Sequence, residues 1–327
     1  MKAPHVVVVS LRKSGTHLVR EVFSAIGYAP RGEVFSAPEE QPLLPAEQMW
    51  RVLQMIYLPA ELDELTSCSD LDLVDRRMKQ AIAALNESWR IRLGIPRRGL
   101  AVYDETIEGL AARALSRAKR FADTPQNSCW FVHQLPLDRV DEYFIREWTD
   151  TGEPRIILNY RDPRDVLLSM VNFLSGLTPG GVGEFAEHHV HSAILRSVDT
   201  LGERLDLALT DPAFPGMDSF ASALWLLRHP NVCKVSFEEL VGPPGGGSEM
   251  TQQAAVRRII DFVGADADLE KIVENVFNRD SFTFFRGQIG GWREHFTASH
   301  EALFNRRYGE ILELYSYATE HGGLLSR

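Results

Sequence analysis

Short apolar runs, most of them rich in β-branched residues, recur along the chain and are separated by segments with the 3.6-residue period of amphipathic helices. Runs of this length are typical of strands buried on both faces. Strands that alternate with helices predict an α/β fold, with a central parallel sheet flanked by helices in a single domain of residues 1–327. The predicted strands are residues 6–9, 130–132, 155–160 and 232–236, with a weaker one at 100–103.

The first run continues into a loop and then a helix. After Gly15, apolar residues fall on one helical face, and Gly27 is well placed to end that helix. This strand–loop–helix unit is similar in outline to a P-loop. A loop in this position presents backbone N–H groups at the positive end of a helix dipole, which suits a phosphate group.

Two further stretches lack strand patterns. Residues from about 38 to 98 contain helical patterns, among them 71–89, and we interpret them as a helical insertion within the domain that shapes a substrate cleft. Residues 242–248 (GPPGGGS) predict a flexible loop rather than a domain linker, because a helical pattern resumes soon after, at 254–263.

Composition narrows the classes of function. The formal net charge of −10 argues against a general nucleic-acid or anionic-membrane binder, so phosphate recognition has to come from local basic groups. The three cysteines are dispersed, which favours reduced thiols in a cytoplasmic protein over a disulfide framework or a zinc site. No apolar run near the N-terminus has the length of a signal or membrane segment.

The loop after the first strand reads Arg12-Lys13-Ser14-Gly15-Thr16. Lys13 can supply a positive charge, Gly15 allows close backbone approach, and the hydroxyls of Ser14 and Thr16 can donate to phosphate oxygens. The nucleotide-triphosphatase pattern G-x-x-x-x-G-K-[ST] is not matched. The loop alone is therefore compatible with an oxyanion site and with an ordinary solvated turn.

A second strand–loop–helix unit follows at residues 155–173. Asp162 is a predicted N-cap, Pro163 fits the first helical position, and Asp165 occupies the place of a capping-box acid. Arg161 precedes this helix and Ser169 lies about two turns into it. The sequence thus contains two candidate anion sites.

Here the chain resembles the sulfotransferases that use 3′-phosphoadenosine 5′-phosphosulfate (PAPS). Residues 13–16 (KSGT) are similar to the family's P-K-S-G-T loop for the 5′-phosphosulfate, and residues 161–169 (RDPRDVLLS) to its R-x-P-x-D-x-x-x-S element for the 3′-phosphate. Similarity continues in order through residues 236–240 (SFEEL), 259–264 and 286–292 (RGQIGGW). The resemblance implies the sulfotransferase fold, PAPS as donor, its product 3′-phosphoadenosine 5′-phosphate (PAP), and no required metal.

The resemblance also implies which residues bind the donor, although several positions depart from the family pattern. Arg12 stands for the usual proline, His17-Leu18 for threonine-tryptophan, and Phe237 for a tyrosine. Arg286 replaces the lysine of the K-G pair and Gly291 the aspartate before Trp292. The residues expected to bind the donor are Arg12, Lys13, Ser14, Gly15, Thr16, His17, Arg161, Ser169, Phe237, Phe282, Arg286 and Gly287.

Catalysis needs a base and a group that neutralises the leaving phosphate. Lys13 is expected to neutralise the charge on the bridging oxygen. His133 resembles the histidine of the family's K-T-H-L-P element, although Gln134 intervenes before Leu-Pro, and an imidazole can accept a proton near neutral pH. His17 is the rival base, and the H-H-x-H cluster at residues 188–191 is interpreted as solvated or substrate-facing rather than metal-binding.

The acceptor is expected to be a small or medium organic alcohol, a phenol or a sugar, less readily an amine, bound among residues 31–57, 103–108 and 173–191. An acceptor of this kind suits secondary metabolism. Binding to nucleic acid or to a membrane is not expected, and formation of a homodimer is left open. Two other classes also stay open: a regulatory module that binds PAP or ATP without turnover, and a divergent ATP-dependent kinase or hydrolase.

Overall fold

A five-stranded parallel sheet forms the centre of the protein in the computed structural model, which describes residues 3–34, 42–95, 105–117, 119–177, 182, 186–277 and 287–317. The strand order is β2-β3-β1-β4-β5, and every neighbouring pair is parallel. The strands are β1 (Val6–Ser10), β2 (Ala29–Gly32), β3 (Ser128–Val132), β4 (Arg155–Tyr160) and β5 (Val232–Ser236).

Four of the five strands confirm the sequence prediction, and β2 is a strand that the sequence pattern missed. The weaker predicted strand at 100–103 lies outside the described residues. Helices separate the strands, as expected. Those in the described residues are α1 (Thr16–Ala25), α2 (Ala46–Ile56), α3 (Pro59–Ser67), α4 (Leu71–Arg92), α5 (Glu105–Arg117), α6 (Glu142–Thr151), α7 (Pro163–Leu174), α8 (Ala186–Arg196), α9 (Leu201–Thr210), α10 (Asp218–Arg228), α11 (Phe237–Leu240), α12 (Glu249–Val263), α13 (Leu269–Val276) and α14 (Ala298–Leu314).

Alternate residues of β1 pack into two separate apolar clusters. Val6 and Val8 face the cluster formed with α1, α12 and α13, whereas Val7 and Val9 face the larger cluster that includes α4, α7 and α14. All of these valines are fully buried. The sheet is thus covered on both faces, which explains why β1 has no alternation of apolar and polar residues. None of the described helices is long and apolar enough to cross a membrane.

The parallel arrangement brings the carboxyl ends of all five strands to one edge of the sheet. Ser10 at the end of β1 is level with Asn159 of β4, and Val9 is level with Val132 of β3. The loops that follow β1, β3 and β4 are therefore neighbours. They carry Lys13, His133 and Arg161.

Candidate active site

The β1–α1 loop, residues 11–15, turns through two left-handed residues. Lys13 has φ of 59° and Gly15 has φ of 81°. At Gly15 a side chain is also excluded by packing, because a Cβ would stand 2.6 Å from Cδ2 of Phe237. The ring of Phe237 therefore lies directly on the loop, and glycine is required there for steric as well as conformational reasons.

The hydroxyl groups of Thr16 and Ser14 differ in their hydrogen bonding: that of Thr16 has a partner, and that of Ser14 has none among the described residues. Ser10 Oγ donates to Asn159 Oδ1 at 2.7 Å and lies 2.8 Å from Thr16 Oγ1, so the Thr16 proton is directed to Ser10. Whether Thr16 also binds a phosphate stays a prediction. Ser14 Oγ is buried and has no hydrogen-bond partner among the described residues, which leaves Ser14 as the hydroxyl able to bind an anion.

Lys13 and Arg161 lie side by side, as is required if one donor molecule is to bind to both loops. Arg161 Nη1 is 3.5 Å from the carbonyl oxygen of Lys13. Burial, and then the charge of Arg161, lower the pKa of Lys13 to about 8. The Lys13 ammonium rests 4.3 Å from the centre of the Phe173 ring. Two adjacent cations with an uncommitted buried hydroxyl fit a polyanionic ligand.

Arg161 is held by groups that fix its plane. Its guanidinium carbon lies 4.1 Å above the centre of the Phe237 ring, and its Nη2 donates to the Gln288 carbonyl oxygen at 2.7 Å. Phe237, where the family has tyrosine, thus stacks on the arginine. Ser169 is partly buried on α7, about two turns beyond Arg161.

Asp165 connects α7 to the closing segment, residues 287–297. Its carboxylate accepts the backbone N–H groups of Gly290 at 2.8 Å and Trp292 at 3.0 Å, and lies 3.6 Å from Arg161. The expected capping box of α7 is therefore wrong: the acid at that position binds a segment more than a hundred residues away. Burial raises the pKa of Asp165 despite these donors.

The segment 242–248 supports the closing segment from the other side. It forms a 3₁₀ turn at Pro243–Gly245, and Ile289 donates its N–H to the Gly245 carbonyl oxygen at 3.0 Å. A Cβ at Gly245 would stand 2.5 Å from the carbonyl oxygen of Gly287. Gly287 is one of the residues predicted to bind PAPS. It packs against Gly245, and it directly precedes Gln288, whose carbonyl oxygen accepts from Arg161. Phe282 and Arg286 lie outside the described residues.

His133 is the first residue after β3 and is partly buried. Its Nδ1 is 2.9 Å from the carbonyl oxygen of Ser10, and its backbone N–H donates to Glu33 at 2.6 Å. A carbonyl oxygen can only accept, so Nδ1 carries the proton and Nε2 keeps its lone pair. Burial lowers the pKa of His133, so the imidazole is neutral at pH 7.

The other predicted histidines have different surroundings. His17, on the first turn of α1, has its pKa lowered to about 4 by burial and by the charges of Arg20 and Lys13. His188 and His191 are buried rather than solvated, with Nδ1 bonded to backbone oxygens of Val182 and Glu187, respectively. Within the described ranges, no group of three or more His, Cys, Asp or Glu side chains could hold a metal ion.

Arg12 has a partner outside the loop. Its Nη1 donates to Glu187 of α8 at 2.8 Å, and its side chain is almost fully buried. The family resemblance implies that Arg12 binds the donor. In the structure, the Arg12 guanidinium contacts α8. Glu187, Asp165 and Glu33 are site residues or neighbours whose roles the sequence did not reveal, since each acts through a contact that is distant in the chain.

Residues 3–316 match the sulfotransferase domain family. The chain therefore belongs to this family, and its reaction class is PAPS-dependent sulfuryl transfer. The comparison with curated proteins finds no match.

Solved structures with a similar fold include mouse sulfotransferase SULT7A1 complexed with PAP, at 15% identity and a TM-score of 0.48 over 97% of this chain and 90% of that one. Retinol dehydratase in complex with androsterone and inactive cofactor PAP is similar at 14% identity and a TM-score of 0.48 over 96% and 82%. Retinol dehydratase in a complex with retinol and PAP gives 14% identity and 0.47 over 100% and 84%.

Proposed function

We propose that the protein transfers the sulfuryl group of PAPS to a hydroxyl group of a small or medium organic acceptor, with His133 as the general base. The observation that carries this proposal is the convergence of Lys13, Arg161 and His133 at one edge of the sheet. In this proposal the cation pair Lys13 and Arg161 binds the two phosphate ends of the donor, and Ser14 donates its buried hydroxyl to the 5′ end.

In the proposed reaction, His133 Nε2 accepts the proton of the acceptor hydroxyl while that oxygen forms a bond to sulfur. The bond between sulfur and the bridging oxygen of the 5′-phosphate breaks, and its electron pair leaves with PAP. Lys13 neutralises the charge that develops on that oxygen. The products are the sulfate ester, PAP and a proton on His133, which then passes to solvent. Positioning and electrostatics supply the catalysis, with no covalent enzyme intermediate.

Ligand selectivity tests the donor assignment. We expect PAP at about a hundred times its Kd to raise the melting temperature by about 5 °C in the presence of EDTA. ATP should raise it much less, because it lacks the 3′-phosphate that Arg161 binds. Arg161→Ala should weaken PAP binding by one to two orders of magnitude, as loss of a charge-assisted contact does. Magnesium-dependent stabilisation by ATP, with none by PAP, would instead identify a kinase or hydrolase.

The lowered pKa of Lys13 predicts a pH dependence of PAP binding. Below pH 8 Lys13 is already protonated in the free protein, whereas above pH 8 its neutral amine must gain a proton to bind the anion as an ammonium. We expect PAP affinity to fall above pH 8, by at most about tenfold per pH unit. Calorimetry in buffers of different ionisation enthalpy should show proton uptake that Lys13→Gln abolishes. Constant affinity up to pH 9.5 would contradict the assignment.

The acceptor itself can be found by incubating the enzyme with ³⁵S-labelled PAPS and panels of phenols, alcohols, sugars and amines. Transfer to a hydroxyl compound would support the proposal. Transfer to amines alone would reassign the acceptor class, and PAP binding without transfer to any acceptor would favour the regulatory module.

A further inference from the structure

Glu33 follows the edge strand β2, and its backbone position is set by the glycine before it. Gly32 has φ of 80°, and a Cβ there would collide with the carbonyl group of Phe131. Only glycine allows β2 to turn this closely against β3. The N–H of Glu33 then donates to the Phe131 carbonyl oxygen at 2.9 Å.

The side chain of Glu33 also contacts the end of β3, two residues beyond Phe131. Its Oε2 accepts the backbone N–H of His133 at 2.6 Å, and its Oε1 lies 3.8 Å from Nε of Arg90. The side chain is only 14% exposed. Glu33 therefore makes two hydrogen bonds across the end of β3, one on each side of Val132, and they fix the point at which the chain leaves the sheet.

The charged groups around His133 and Glu33 are mostly basic, and two of the arginines also pair with other carboxylates: Arg12 with Glu187 at 2.8 Å and Arg90 with Glu87 at 3.2 Å. The other ionisable groups near the imidazole or near Glu33 are Arg12 and Lys13 of the β1–α1 loop, His17 of α1 and Arg90 of α4. All of these are cations or neutral imidazole. The pKa of His133 is lowered overall, first by burial and then by the charges of Arg12 and Lys13, whereas the charge of Glu33 raises it.

We propose that Glu33 is a positioning residue for His133: its carboxylate holds the His133 peptide at the end of β3 and places a negative charge next to this histidine, among the cations of the β1–α1 loop. This inference rests on the proposed role of His133 as base. It assigns to Glu33 two separable effects, one through its hydrogen bond and one through its charge.

Glu33→Gln separates the two effects, since the amide oxygen can still accept the His133 N–H but the charge is lost. In ¹⁵N-histidine-labelled protein with PAP bound, the His133 signal, assigned with His133→Gln, should titrate about 0.5–1 pH unit lower in Glu33→Gln than in the wild type. Glu87→Gln is the matched control, because it also removes the charge of a carboxylate next to Arg90, which Glu87 contacts at 3.2 Å. It should leave the titration in place.

Activity provides the second measurement, with the acceptor from the ³⁵S screen or 4-nitrophenol as probe. In Glu33→Gln, the acidic limb of the pH profile of kcat/KM should move to lower pH. Glu33→Ala also loses the hydrogen bond to His133, so kcat should fall about tenfold or more, while the Kd for PAP stays unchanged. Equal protonated fractions of His133 in wild type and Glu33→Gln throughout the folded pH range would overturn the inference. Near-normal turnover by His133→Ala would overturn the proposed function instead.

Discussion

Lys13→Ala should lower kcat by about 10²–10³-fold, the usual loss when a preorganised donor to developing negative charge is removed. Lys13 is expected to act at the bridging oxygen as the sulfur–oxygen bond breaks, when that oxygen gains charge. Its ammonium is buried and lies on the Phe173 ring, so it is already desolvated before the charge develops. The measurement is single-turnover transfer of ³⁵S at saturating donor.

Two controls bound the Lys13 result. Lys79→Ala removes a lysine from an exposed ion pair with Asp75 on α4, and it should change kcat and stability little. The Lys13→Ala protein should also keep its fold, because loss of a buried cation next to Arg161 removes a repulsion. A rise in the KM for PAPS alone, with kcat within a factor of three of wild type, would mean that Lys13 binds the donor without stabilising the transition state.

The central strands of the fold could be predicted because strands that are buried on both faces consist of uninterrupted apolar residues. Val6 to Val9 are apolar without interruption, and the sheet covers both of their faces. The strand β2, with the sequence APRG, lies at the edge of the sheet and contains a proline, which is tolerated only at edges. A strand of this composition leaves no apolar run, so no pattern could reveal it.

The site was predictable where one short motif carries the chemistry. Arg161 and His133 directly follow buried strands, Lys13 lies three residues beyond one, and parallel strands of one sheet have their carboxyl ends at one edge. Contacts between distant motifs were not predictable. Asp165 was indistinguishable from a capping acid until its partners, Gly290 and Trp292, were placed against it.

The same contacts explain why the site is assembled from the whole chain. Arg161 is stacked by the residue after β5, bonded to the closing segment, and adjacent to the β1–α1 loop. A change in any one of these three elements shifts Arg161 relative to Lys13. The departure from the family pattern at Phe237 preserves the aromatic face that stacks on Arg161 and gives up only the hydroxyl group of a tyrosine.

His133→Ala should lower kcat by about 10²–10⁴-fold and leave PAP binding intact, as expected for loss of a general base that does not touch the donor. The Nδ1 contact with Ser10 leaves Nε2 as the accepting nitrogen. Since burial lowers the pKa of His133, the wild-type rate should stay high at pH 7 and fall only as the pH drops below the ordinary histidine value of 6.5. The His133→Ala protein should lose that acidic limb.

His17→Ala is the matched variant for this test, because His17 is a second histidine in the same site whose pKa is about 4. A group with so low a pKa is a weak base at neutral pH, so we expect a smaller loss of kcat and an unchanged acidic limb. The reverse ranking, with near-normal turnover by His133→Ala and a large loss in His17→Ala, would transfer the base to His17. If both variants retain turnover, a carboxylate such as Glu105 at the start of α5 becomes the next base to test.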